Sequence, residues 1–208
     1  MSALFRKDAY LAECTAKVAA LTDRGGVVLD QTVFYPTGGG QPGDSGRLIW
    51  DGGEVAIAIA VKGDAPDEVI HVAPEGAALP PVGTEVRAIL DWDRRHRHMW
   101  VHTALHLLSV VIPLPVTGGQ ISSEKGRLDF DMPEAPGDKQ ALQHAIDALI
   151  AADHAVTDEW ITDDELAAII LDRQTASVPP QTTGRKTSKR QKNTAWNTCL
   201  YCIPVSLG

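Results

Sequence analysis

Long apolar runs are missing from this chain. No stretch approaches the ~20 consecutive apolar residues that cross a bilayer, which excludes a helical membrane span. The opening residues, MSALFRKDAY, also lack the apolar core of a secretion signal, so a cytoplasmic protein with no membrane partner is expected. Cysteine is scarce: Cys14, Cys199 and Cys202 are the only three in 208 residues. That is too few, and too scattered, for a disulfide framework, and it leaves the close pair near the C-terminus to ligand or redox chemistry. Positive charge is not in excess either. The net charge of −8 excludes a general nucleic-acid coat protein but leaves room for a local basic patch that meets one RNA end. No internal repeat is visible, and no nucleotide cofactor is expected.

What is present sorts into three segments. Up to residue 90 the runs ECTAKVAAL, GVVLDQTVFY, SGRLIWDG, EVAIAIAVK, EVIHVAP and TEVRAIL are short, rich in Val, Ile and Leu, and separated by Gly, Pro and Asp clusters. Short strands at regular spacing predict a β-barrel or sandwich. At Asp91 the texture changes. DWDRRHRHMWVHTALHLLSVVI has apolar residues at helical spacing, Asp91 or Asp93 to cap its start, and Pro113 to stop it. A hairpin follows in VTGGQISSEKGRLDFDM, then a helix in GDKQALQHAIDALIAADHAV, a strand in VTDEWIT and a short helix in DDELAAIILDRQ. The expected organisation is a β domain over 1–90, an α+β domain over 91–180, and a tail over 181–208 without usable periodicity.

The segment VHTALHLLSV holds His102 and His106, four residues apart. In a helix these lie one above the other on one face, so two imidazoles can address one zinc ion. Two buried structural histidines would give the same spacing. Thr103, not Glu, follows His102, so the metalloprotease motif with its intervening base is excluded.

FYPTGGGQPGDSG (34–46), RHMWVHTALHLLS (97–109) and GGQISSEKGRLDFDM (118–132), taken together and in this order, resemble the editing domain of alanyl-tRNA synthetase. The resemblance is greatest to the AlaX-type trans-editing proteins and runs from about residue 7 to about residue 180. It implies an α+β fold: an N-terminal β-barrel followed by an α+β editing domain, shared with threonyl-tRNA synthetase, that carries the His-x3-His helix. It implies hydrolysis of the ester joining a wrong amino acid, serine or glycine, to the acceptor end of the alanine tRNA. It also implies Zn2+, held by His-x3-His and by a Cys-x3-His. The first pair maps onto His102 and His106. The second is absent. Counting on from Gly184-Arg185 places the family's cysteine at Cys199 and its histidine at Ile203, which leaves Cys202 as the nearest substitute ligand. A frameshifted tail is one explanation for part of the departure: read one base on, the codons for Trp196 to Cys199 permit the family-like Gly-Thr-His-Val, although the shift does not restore the missing cysteine. An alternative follows from the missing half-site, namely a catalytically impaired tRNA-binding homologue with an incomplete metal site.

A glycine loop, one further glutamine and three arginines complete the expected site. Thr37, Gly38, Gly39, Gly40 and Gln41 form a loop that allows close backbone approach, with Thr37 the candidate hydroxyl for recognising serine. Gln120 is a further candidate for contact with the amino acid or the terminal adenosine. Arg94, Arg95 and Arg97 open the histidine-bearing helix and are candidates for tRNA phosphates. No general acid or base is assigned.

Overall fold

A computed structural model describes residues 1–134, 137–153, 158–161 and 190–193. The alternating runs of the N-terminal segment all become strands: β1 Ser2–Ala3, β2 Glu13–Leu21, β3 Gly26–Leu29, β4 Gln31–Thr32, β5 Gly46–Trp50, β6 Gly53–Ile57, β7 Ile59–Lys62, β8 Val69–Val72 and β9 Glu85–Leu90. Helix α1, Trp92–Val111, follows. The hairpin β10 Val116–Ile121 and β11 Gly126–Phe130 comes next, then α2 Lys139–Ala151 and the antiparallel pair β12 Asp158–Ile161 and β13 Arg190–Asn193. The protein is α+β, with a mostly antiparallel sheet. It divides into two compact units, Met1–His98 and Met99–Gly208, with the boundary inside α1.

The expected barrel is corrected. Seven strands form one antiparallel sheet in the order β6-β5-β9-β2-β3-β8-β7, and among the described residues no ladder joins β6 to β7. The reason lies in the connectivity. The two edges are successive stretches of one segment, separated by Ala58 alone, so the chain itself links the edges where hydrogen bonds would otherwise have to. Alternation sets the inner face. In β9 Val86, Ala88 and Leu90 are buried while Glu85 and Arg87 are exposed. With Val18, Val27, Leu29, Val33, Phe34, Leu48, Ile57 and Ala60 they form the core of the first unit. Each large aliphatic side chain buried here stabilises the fold by about 1.5–3 kcal/mol.

The helices begin where their caps stand. Asp91 Oδ1 accepts from the N–H of Arg94 at 3.2 Å, and Asp138 Oδ1 accepts from that of Ala141 at 2.9 Å. Helix α1 ends two residues before Pro113. The four residues of β13 lie inside the tail that was expected to lack regular structure. The rest of that tail, with Cys199 and Cys202, and the expected helix at 163–174 lie outside the described residues.

One core polar group sets an acid limit on the fold. His71 of β8 is fully buried. Its Nδ1 lies 2.8 Å from the Val27 carbonyl, which can only accept, so this nitrogen carries the proton. Nε2 then accepts from the Thr32 hydroxyl at 2.8 Å, while Thr32 Oγ1 accepts from the Phe34 N–H at 3.0 Å. Burial lowers the His71 pKa from 6.5 to about 4, against the opposing pull of the Val27 carbonyl. The folded value lies below the unfolded one, so the contribution is complete above pH 6.5 and is lost as pH falls from 6.5 to about 4. That depression corresponds to about 3 kcal/mol. The expected result is an imidazole whose NMR signals do not titrate above pH 5, with unfolding free energy falling across the same window. A ring that titrates near 6.5 would contradict it.

Candidate functional site

Two groups of candidate residues take shape, one in each unit. The first is the glycine loop between β4 and β5. Gly38 and Gln41 form an antiparallel bridge, N–H to carbonyl in both directions at 3.1 and 3.0 Å. The two residues between them, Gly39 and Gly40, have φ of +58° and +79°. Positive φ at both central positions is the signature of a type I′ turn, which glycine enters without steric cost. The Tyr35 hydroxyl donates to Gly38 O at 3.0 Å. Thr37 is spent locally as well: its hydroxyl accepts from the Gly43 N–H at 2.9 Å and donates to Ala60 O at 3.3 Å. Its only proton is therefore directed at β7, which leaves Thr37 an acceptor toward any ligand. Gln41, which closes the turn, is buried. Gly43 lies so close to β7 that a Cβ there would fall 1.8 Å from Ala60 O.

The return leg of the loop is anchored by a group the sequence reading missed. Asp44 accepts from the Tyr35 N–H through Oδ2 at 2.6 Å, and the same oxygen pairs with Arg95 of α1. Both side chains are buried. Burial pushes the Asp44 carboxyl above the ordinary carboxylate range, opposed by Arg95, by the Tyr35 N–H and by the charge of Arg94. The expectation that Arg94, Arg95 and Arg97 jointly meet RNA is corrected here. Arg95 lies in the core, bound to Asp44 and reaching Val33 O at 3.5 Å, so no phosphate can approach it. Arg94 is half-buried and donates to Gly43 O at 2.8 Å. Only Arg97 is exposed. The one signal that could have found Asp44 was a carboxylate directly after the turn residues QPG.

His98, also in the first unit, is a second omission. It is buried, and its Nδ1 has no hydrogen-bond partner among the described residues. Burial lowers its pKa to about 4, reinforced by Arg94 and Arg95.

The second group lies on α1 within the second unit. The rings of His102 and His106 stand side by side, with centroids 5.0 Å apart and planes 18° from parallel. Burial lowers the His102 pKa to about 3, with His106 adding to the shift, and burial lowers that of His106 too. Both imidazoles are therefore neutral at working pH, the form that ligates a metal. The neighbouring face of α1 packs on the hairpin, since a Cβ on Gly126 would meet Val101 at 2.7 Å and Leu105 at 3.0 Å. Gln120 of β10 is exposed and pairs in register with Arg127 of β11. Among the described residues no three His, Cys, Asp or Glu gather in a metal-holding group. Two neutral nitrogen donors fit half of a zinc coordination sphere, which takes three or four protein ligands. The expected remainder, Cys199 and Cys202, lies outside the described residues.

Comparison with known proteins bears on both groups. Residues 4–94 match the family described as tRNA synthetases class II (A). The chain is 39% identical over 163 residues to "Alanyl-tRNA editing protein AlaX-M" of Methanosarcina mazei, a match covering 74% of this chain and 65% of that protein. It is 41% identical over 138 residues to the AlaX-M protein of Pyrococcus horikoshii, covering 63% of this chain and 61% of the relative. It is 33% identical over 166 residues to the alanine-tRNA ligase of Pyrococcus abyssi, covering 76% of this chain and 18% of that enzyme. The chain thus spans less than two thirds of the length of these two editing proteins.

Proposed function

We propose, from its likeness to alanyl-tRNA editing proteins of the AlaX type, that the chain is one of that family and hydrolyses the ester of serine or glycine wrongly attached to the alanine tRNA. The observation that carries this reading is the pair of half-buried, neutral imidazoles, side by side on one helix, at His102 and His106. His102 and His106 would hold zinc jointly with a thiolate from Cys199 or Cys202, a Cys-x2-Cys spacing suited to that ion. When bound, zinc supplies polarisation of the ester carbonyl or orientation of the substrate.

The chain's own residues supply the rest. An aminoacyl ester is already activated, so the protein must seat the carbonyl, admit water and separate serine from alanine. The Gly39–Gly40 pair, without side chains of its own, lets the terminal adenosine approach the backbone closely. Thr37, with its proton committed to Ala60 O, reads a substrate hydroxyl by accepting from it. A site that hydrogen-bonds a substrate hydroxyl discriminates against the analogue lacking it by leaving its own polar group unsatisfied. Arg94 and Arg97 meet the acceptor-end phosphates, the first from beside Gly43 and the second from solvent.

The test is deacylation of Ser-, Gly- and Ala-tRNA(Ala) by purified protein, with zinc measured on the same sample. Ser- and Gly-esters are expected to be hydrolysed in preference to the Ala-ester, with zinc near stoichiometric. Protein that hydrolyses none of them above the buffer rate would overturn the reading.

A further inference from the structure

The glycine loop is built from backbone, yet one side chain lies directly over it. A Cβ placed on Gly38 would meet Lys62 Cε and Lys62 Nζ, each at 3.1 Å. The space left by that missing side chain is where the Lys62 ammonium rests. The strand that delivers it is fixed to the loop on both sides of the turn: Ala60 O accepts from the Thr37 N–H at 3.0 Å, and the Ala60 N–H donates to Asp44 O at 2.8 Å. Lys62 closes β7 two residues later and is exposed.

No acidic side chain among the described residues forms an ion pair with Lys62. Glu68, across the β7–β8 turn, is committed instead to the N–H groups of Asp64 and Ala65 at 3.0 and 3.4 Å. On the return leg Arg94 donates to Gly43 O at 2.8 Å, and the one carboxylate within the loop, Asp44, is paired with Arg95. A chain of net charge −8 therefore presents, at this turn, a Lys62 ammonium in no ion pair with a described carboxylate, while Arg94 shares the Ser45 hydroxyl with Asp91. We propose that Lys62, which lies against Gly38 of the glycine turn, is a phosphate-binding residue for the single-stranded 3′ end of the RNA substrate. An ammonium packed over bare backbone acts as a point charge toward a phosphodiester that crosses the turn.

This inference rests on the editing reading, so its test separates the two. A fluorescein-labelled minihelix reproducing the tRNA(Ala) acceptor stem with its 3′ end is titrated at several salt concentrations. Lys62→Gln is expected to weaken binding roughly five-fold and to lower the salt slope by about one. Lys62→Arg keeps the affinity, since the charge survives. Lys17→Gln, which removes an equal charge from an exposed position on β2, leaves the slope unchanged. Affinity and slope in Lys62→Gln equal to wild type, or a loss matched by Lys17→Gln, would overturn the assignment, as would wild-type protein that fails to bind. Displacement of the minihelix by inorganic phosphate at constant ionic strength would assign the ammonium to a free anion instead. Ser-tRNA(Ala) hydrolysis is followed in parallel. Hydrolysis with no Lys62 effect removes the Lys62 assignment alone, and Lys62-dependent binding without hydrolysis removes the editing reading alone.

Discussion

Replacing Asp44 with Ala is expected to destabilise the first unit by about 3–5 kcal/mol, the cost of leaving a buried charge without its partner. Arg95 is the charge in question. Its side chain is fully buried, it meets Asp44 Oδ2, and a guanidinium cannot shed its proton to escape the low-dielectric surroundings. The reverse substitution, Arg95→Met, is expected to cost less. The Asp44 carboxyl is already pushed above its ordinary range by burial, so it can take up a proton and survive as a neutral acid bonded to the Tyr35 N–H. Removing both charges, in Asp44→Leu with Arg95→Met, is expected to recover part of the loss, because the desolvation penalty vanishes with the pair. Urea unfolding of the three variants measures this order. Asp44→Ala costing under ~1 kcal/mol would show that water reaches the pair and that it does not hold the glycine loop to α1.

The same pair shows where sequence reading stopped. RRHRH was legible as a basic cluster at a helix start, and positive charge there opposes the helix dipole, which argued for a role beyond solvation. Helical rotation then sends neighbouring side chains in different directions. Arg94 turns to Gly43 O, Arg95 enters the core and Arg97 faces solvent. No charge pattern distinguishes these fates without the carboxylate that receives one of them. Asp44 lies 51 residues earlier in the chain. Strands were legible for a simpler reason: alternation reports one buried face, and β2, β6 and β9 obey it. Alternation does not report which strands pair, so the barrel expected from strand spacing gave way to a sheet whose edges, β6 and β7, share one segment. The α1 boundaries were legible because Asp91 caps and Pro113 stops. Lys62 was invisible, since its role depends on the absence of a side chain at Gly38 rather than on any residue near it in sequence.

The largest functional effect is expected at His102. On the proposal that His102 and His106 hold zinc jointly, the ion retained by the wild-type protein should be lost from His102→Ala, and Ser-tRNA(Ala) deacylation should fall by roughly a hundred-fold or more. His106→Ala should match it. The double variant should be no worse than either single one, because groups that act as a unit are lost together. Equal single and double losses are what a shared ion would produce. Two core histidines that merely stabilise the fold would instead lose stability in steps and keep their activity. The stacked rings sharpen the contrast: at 5.0 Å between centroids, with burial keeping both neutral, neither ring stands as an isolated packing group. His144→Ala on the exposed face of α2 serves as the control and should change neither zinc content nor rate. Zinc and activity are measured on the same folded samples, with circular dichroism to exclude collapse of α1. Activity within about three-fold of wild type in His102→Ala, with zinc retained, would place the ion and the chemistry elsewhere, because a ligand pair cannot lose one imidazole without losing affinity.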